Sequence, residues 1–216
     1  MMKKAITFLL ALAGAAASVQ AQDAAAGASK ATQCVGCHGI PGYQSSFPEV
    51  YRVPMVAGQN ADYIVAALNA YKKGERKHPT MRGIAIALSD QDMADLGAFY
   101  EQQGASLVKP VSDNTPPAPP AAVAELLTKG GCATCHGTSY NKPLVPANPK
   151  LAGQYADYLF SALRAYGVEG NPHVGRANAV MSGQVKPFKR AELKAIADYL
   201  STLPGDLRLV RNPKFK

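Results

Sequence analysis

The pentapeptide CVGCH at 34–38 returns as CATCH at 132–136. These two copies hold all four cysteines of the chain. Cysteines at i and i+3 share one face of a helical turn, and a histidine at i+4 stands beside them. An exported protein ordinarily places its cysteines in a disulfide framework. A chain that sets every thiol beside a histidine, twice in one pattern, is building something else.

The rest of the chain is duplicated around this device. AGQNADY at 57–63 matches AGQYADY at 152–158, an offset of 95. Tyr71 and Tyr166 keep that offset, as do Pro54 and Pro149. The CxxCH units are offset by 98, and the apolar residues Met93, Leu96 and Phe99 recur as Leu193, Ile196 and Tyr199 at an offset of 100. Two drifting copies indicate tandem domains rather than a solenoid. Between them runs VSDNTPPAPPAA at 111–122, with four prolines inside 116–120. Such a run cannot continue a helix and favours a semi-rigid extended segment. The expected division is domains at 22–109 and 121–216, joined by a proline-rich linker at 110–120.

The first residues are set apart. Lys3 and Lys4 precede an apolar run at 5–17, too short for a transmembrane helix, and Ala21 closes a small-residue cleavage pattern. Residues 1–21 read as a secretory signal peptide. This places the remaining 195 residues in an exported compartment, expected to be the bacterial periplasm.

Each copy reads as helical. Alanine-rich segments at 24–32 and 121–129 lead into the CxxCH units. Segments 62–71 and 157–166 begin with aspartate, suited to a cap or first turn, and 89–102 and 189–203 carry apolar residues at helical spacing. The expectation is an all-α protein, three to four short helices per domain, with no convincing strand.

CxxCH is the pattern of c-type haem attachment, two thioethers and a histidine within reach of the iron. A zinc site wants its CxxC pairs far closer than 98 residues, and a thioredoxin-like redox motif wants a βαβ context. A domain of under a hundred residues also gains from a covalent apolar plate to pack around.

CVGCH, CATCH, the paired AGQ-x-ADY segments and the downstream methionines together resemble the cytochrome c4 family, over essentially the whole chain after residue 21. The resemblance implies a periplasmic dihaem electron carrier, all-α, with two tandem class I cytochrome c domains each wrapped around one covalent haem c. It implies thioethers at Cys34, Cys37, Cys132 and Cys135, and iron bound by His38 and His136. The linker is longer and richer in proline than the resemblance leads one to expect.

The sixth iron ligand has several candidates. The first copy offers Met55, Met81, Met93 and His78, and the second offers Met181 and His173. Met93 aligns with Leu193 on an apolar face, and Met55 aligns with Lys150, which cannot serve. Met81 and Met181 match, each nine residues before the start of the last helical segment, in HPTMRG and NAVMSG read as loops. His78 and His173 also match, each seven residues after its tyrosine. Class I cytochromes use His/Met, so the resemblance carries the role to Met81 and Met181. Met/His ligation raises the reduction potential, whereas a second histidine would lower it. Pro54 and Pro149 stand where the family has Pro-x-Leu-x-Gly, and there the proline carbonyl accepts the proton of the ligand histidine. Tyr63, Tyr71, Tyr158 and Tyr166 are candidates to line the haem or meet its propionates.

Beyond residue 21 there are 21 basic and 15 acidic residues, and all of the excess lies in the second half. Lys186, Lys189, Arg190, Lys194, Arg208, Arg211, Lys214 and Lys216 form a late basic group. A field of this kind orients docking and speeds encounter. It points to an acidic redox partner or an anionic membrane face, not to nucleic acid. The expected function is single-electron shuttling by a monomer, without enzyme activity, from a quinol-oxidising complex to a terminal oxidase. The alternatives are the haem subunit of a larger flavocytochrome-type enzyme, or a dihaem peroxidase.

Overall fold

The computed structural model describes residues 21–107 and 116–211. The expected signal peptide up to residue 20, the expected linker up to residue 115, and Lys214 and Lys216 lie outside the described residues. Ten α-helices, five in each half, and four two-residue strands make up the described fold.

In the first half, α1 (Ala24–Lys30) is capped by Asp23, whose carboxylate accepts from the Ala25 and Ala26 amides. A 3₁₀ turn over Ala31–Gln33 leads into α2 (Val35–His38). Then come the hairpin β1 (Gln44–Ser45) and β2 (Tyr51–Arg52), α3 (Ala61–Lys73), β3 (Arg76–Lys77), α4 (Pro79–Ile86) and α5 (Asp90–Leu107). The second half repeats the order without the hairpin: α6 (Ala121–Lys129), α7 (Cys132–His136), α8 (Ala156–Ala165), β4 (Gly175–Arg176), α9 (Ala179–Val185) and α10 (Arg190–Thr202).

The long helices start where the sequence pattern places them. Asp62 and Asp157 sit in the first turns of α3 and α8, where the helix dipole favours negative charge. At the head of α5, Ser89 and Asp92 bond reciprocally, and Glu192 bonds the Lys189 amide at the head of α10. The helix count exceeds the expected three to four per half. The additions are α2, α4, α7 and α9, each too short to show an apolar period.

Each half has its own core. In the first, α1 and α3 pack on α5 around Ile64, Leu88, Met93, Leu96 and Tyr100. Met93 is fully buried, in the core place that its alignment with Leu193 implies. In the second, α6 and α8 pack on α10 around Leu127, Leu159, Ile196, Tyr199 and Leu200. Pro117 of the proline run accepts a hydrogen bond from Tyr199, 2.8 Å, which lays the run against the second half. The last described residues cross back. Arg208 bridges to Ala57, its amide 2.9 Å from that carbonyl, and Val210 packs against the first core.

The α1–α5 crossing is close enough to require glycine. A Cβ at Gly27 would collide with the Asp95 carbonyl and the Phe99 side chain. The crossing is locked by the buried Asp95 carboxylate, which takes the Lys30 ammonium at 2.6 Å and the Asp23 amide at 2.9 Å. Lys30 beside it holds the Asp95 carboxyl below the usual range, against the opposing effect of burial. Gly27→Ala is expected to cost about 1–3 kcal/mol of stability by overpacking, read by urea unfolding. Asp95→Asn lowers stability near neutrality. A carboxyl depressed in the fold stabilises above its unfolded pKa and loses that contribution as acid protonates it. The difference from wild type therefore shrinks as pH falls below about 4.

Candidate functional site

The CxxCH units lie on tight turns. In the first half the Cys37 and His38 amides both bond the Cys34 carbonyl, at 3.2 and 3.0 Å, so both thiols and the imidazole belong to one turn. In the second, Gly131 reverses the chain with φ 55° ahead of α7. Gly137 follows at φ 75°, and a Cβ there would strike the Lys142 carbonyl. The four cysteines are unpaired thiols, three of them half-buried and Cys135 exposed. Burial pushes the Cys34 and Cys132 thiols up.

The two histidines are held alike. His38 Nδ1 lies 2.8 Å from the Pro54 carbonyl, and His136 Nδ1 lies 3.0 Å from the Pro149 carbonyl. A carbonyl can only accept, so Nδ1 carries the hydrogen and Nε2 keeps its lone pair. Burial lowers both imidazoles, and Arg76 lowers His38 further. Each ring is a neutral donor with one free nitrogen beside two thiols.

Met81 and Met181 occupy equivalent places, though inside short helices rather than in loops. Each is the third residue of its helix, α4 or α9, and each is half-buried. The Met81 amide bonds His78 Nδ1 at 3.4 Å, and the Met181 amide bonds Asn178 Oδ1 at 2.9 Å. His78 is therefore a helix cap whose structural counterpart is Asn178, not His173. His173 is exposed in the preceding loop, with its ring 5.4 Å from Phe47. The matched seven-residue spacing of the two histidines is a coincidence, because α8 ends earlier than α3 and a longer loop follows it.

Between the halves runs a seam that the sequence pattern does not announce. Strands β3 and β4 pair antiparallel across it, setting Arg76 opposite Arg176. Arg76 donates to Tyr158 at 2.6 Å and to Tyr63 at 3.2 Å. Arg176 donates to Tyr158 at 3.2 Å and to Tyr166 at 3.5 Å. Arg76 also stacks over Tyr71, 4.6 Å from the ring centroid. Burial alone would push the Tyr158 phenol up, but the two guanidiniums outweigh it and pull it down to about 8. Burial pushes the Tyr63 phenol up to about 12. The repeat held a signal for the arginines: each stands five residues before its methionine.

This seam tests whether a haem group fits. Among the described residues no carboxylate pairs with Arg76 or Arg176, and the buried Arg76 Nε has no hydrogen-bond partner. Buried cations call for anions. Propionates would supply them, so the donor set and the unpartnered Arg76 Nε both fit haem.

A fold of this kind, with a CxxCH turn and a proline-tethered histidine in each half, defines a c-type cytochrome. The cytochrome c family model matches residues 120–204. The cytochrome c4 of Pseudomonas aeruginosa is 31% identical over 94% of this chain and 100% of its own length. The solved structure of reduced recombinant cytochrome c4 from Pseudomonas stutzeri covers 85% of this chain and 100% of that one, with 27% identity and a TM-score of 0.62. The thiosulfate dehydrogenase electron acceptor of Stutzerimonas stutzeri is 30% identical over 89% of this chain and 94% of its own. The chain belongs to the cytochrome c4 family of dihaem electron-transfer cytochromes.

Tyr158→Phe removes the one hydroxyl that both guanidiniums share. It is expected to destabilise the holoprotein by about 1.5–3 kcal/mol, the worth of a hydrogen bond to a charged group, read by urea unfolding.

Proposed function

We propose that the chain carries two covalent haem c groups and relays single electrons between redox proteins without catalysing a substrate reaction. Cys34 and Cys37 would hold the first haem by thioethers, with His38 and Met81 on its iron. Cys132 and Cys135 would hold the second, with His136 and Met181. The observation that carries this reading is the matched pair of histidines, each tethered through Nδ1 to a proline carbonyl with Nε2 free beside two thiols. When bound, the haem supplies one-electron ferric/ferrous chemistry.

The chain's own residues do the rest. Pro54 and Pro149 fix the tautomer and orientation of the histidines. The thioethers of Met81 and Met181 would raise the reduction potential and leave no open coordination site. Arg76 and Arg176 would neutralise propionates at the seam. The domains would be 22–109 and 121–216, with 110–120 as linker and 1–21 removed on export to the periplasm. Among the described residues no helix is long and apolar enough to cross a membrane.

Lys186, Lys189, Arg190 and Lys194 are exposed on the second half and would present a basic docking face. A quinol-oxidising complex as donor and a terminal oxidase as acceptor suit a monomeric carrier with this face, which would also favour peripheral contact with anionic membrane. Arg208 is withdrawn from that face, since its guanidinium bonds the Gly205 and Leu207 carbonyls. A second reading has the chain accept electrons from one dedicated dehydrogenase. Its support is the similarity to the thiosulfate dehydrogenase electron acceptor.

The test is the ferric optical spectrum of the haem-loaded protein. Wild type is expected to show the weak far-red sulfur-to-iron band, and Met81→Ala and Met181→Ala each remove one haem's share of it. A high-spin haem in wild type, or a band that survives both substitutions together, overturns His/Met ligation.

A further inference from the structure

The seam carries a second exchange, made by the glutamine of each AGQ repeat. Both glutamines are buried, at 5% and 4% exposure, and both reach out of their own half. Gln154 Nε2 donates to the Met55 carbonyl at 2.9 Å, and its Oε1 accepts from the Met55 amide at 3.0 Å. Gln59 does the same in the other direction, with Nε2 to the Lys150 carbonyl at 3.1 Å and Oε1 from the Lys150 amide at 2.9 Å. The side-chain orientation is dictated by the partners. Oε1 of Gln59 also accepts from the Asn60 amide at 3.0 Å, and Oε1 of Gln154 from the Tyr155 amide at 3.1 Å, and an N–H cannot face an NH₂.

The Met55 amide and the Pro54 carbonyl are one planar peptide group. So are the Lys150 amide and the Pro149 carbonyl. One peptide group therefore takes the Nδ1–H of His38 on its oxygen and gives its own hydrogen to Gln154. The equivalent peptide of the other half joins His136 to Gln59. We propose that Gln154 and Gln59 are positioning residues that act across the seam, each tuning the histidine of the opposite half through a single peptide group. The inference rests on the reading of His38 and His136 as iron ligands.

Hydrogen bonds in a chain polarise one another in a low-dielectric interior. An amide that gives its hydrogen to a glutamine oxygen places more negative charge on its own carbonyl. That carbonyl then draws harder on the imidazole N–H and makes the ring a stronger electron donor. Stronger donation favours ferric iron. Loss of a glutamine should therefore raise the reduction potential of the opposite haem and leave that of its own half alone. Within its own half, each glutamine bonds only the amide of the residue just ahead of α3 or α8, Asn60 or Tyr155.

The experiment is a redox titration of the full-length, haem-loaded protein by proton NMR, with each haem assigned to its half through the methyl of Met81 or Met181. Two ligand-methionine methyl signals in ferrous wild type establish His/Met ligation separately, so an unchanged potential in the variants counts against the relay alone. Gln154→Met, isosteric but unable to make these bonds, is expected to raise the reduced-to-oxidised ratio of the His38 haem roughly threefold at fixed ambient potential, about 28 mV for one electron. The His136 haem should stay in place. Gln59→Met should do the reverse. If Gln154→Met fails to take up both haems, Gln154→Asn, too short to reach Met55, carries the same expectation. Arg164→Leu removes the Glu49–Arg164 pair, 2.8 Å, and loosens the seam without touching either peptide; it should not reproduce the crossed pattern. A shift in the glutamine's own half, equal shifts in both halves, no shift, or a crossed pattern from Arg164→Leu each overturns the proposal.

Discussion

Much of the structure depends on one kind of hydrogen bond, made twice, from an imidazole Nδ1–H to a proline carbonyl. It joins two stretches that are otherwise separate, the CxxCH turn and the segment that leads into the AGQ loop. It decides which ring nitrogen is free and holds the ring at a fixed angle to the turn that bears the thiols. A proline is well suited to present that carbonyl. Its ring fixes φ, and it offers no N–H to compete. Burial of both rings adds to the effect by keeping them neutral.

The second organising feature is the approximate two-fold relation of the halves. Equivalent residues meet or exchange places across it: Arg76 opposite Arg176, and Gln59 and Gln154 each bonded to the peptide after the other half's proline. Around this axis lie contacts with no counterpart. The β1–β2 hairpin occurs only in the first half, and from it Glu49 reaches Ser161 and Arg164 while Arg52 takes Asp157. The returning segment near Arg208 belongs only to the second half. The duplication thus supplies a symmetric centre, and unshared loops lock it.

The charges follow the same logic. A seam with a buried and a half-buried guanidinium, neither paired with a carboxylate among the described residues, would be costly if left uncompensated. The tyrosine hydroxyls share part of that charge: Tyr158, bonded to both guanidiniums, is pulled down, while Tyr51, Tyr63 and Tyr71 are pushed up by burial. An anionic group at the seam would complete the neutralisation.

The duplication, the two CxxCH turns, the long helices and the matched methionines were legible in the chain itself, because each is a short-range pattern or a repeat. The family could be recognised from those same residues. Local pattern did not extend to the short helices around Met81 and Met181, which carry too few residues to display a period. It also paired His78 with His173, a match in spacing that differing helix ends undo. The seam was beyond its reach. Arg76 and Arg176, Gln59 and Met55's partner Gln154, and Asp157 with Arg52 stand 91 to 105 residues apart or meet only through pairing of one half against the other. Each lies in a segment whose local sequence would suit an exposed surface equally well. A repeat states that two positions are equivalent. Only the docking of the two copies, set by shape and by hydrogen bonds between residues remote in sequence, decides that these equivalent positions face each other.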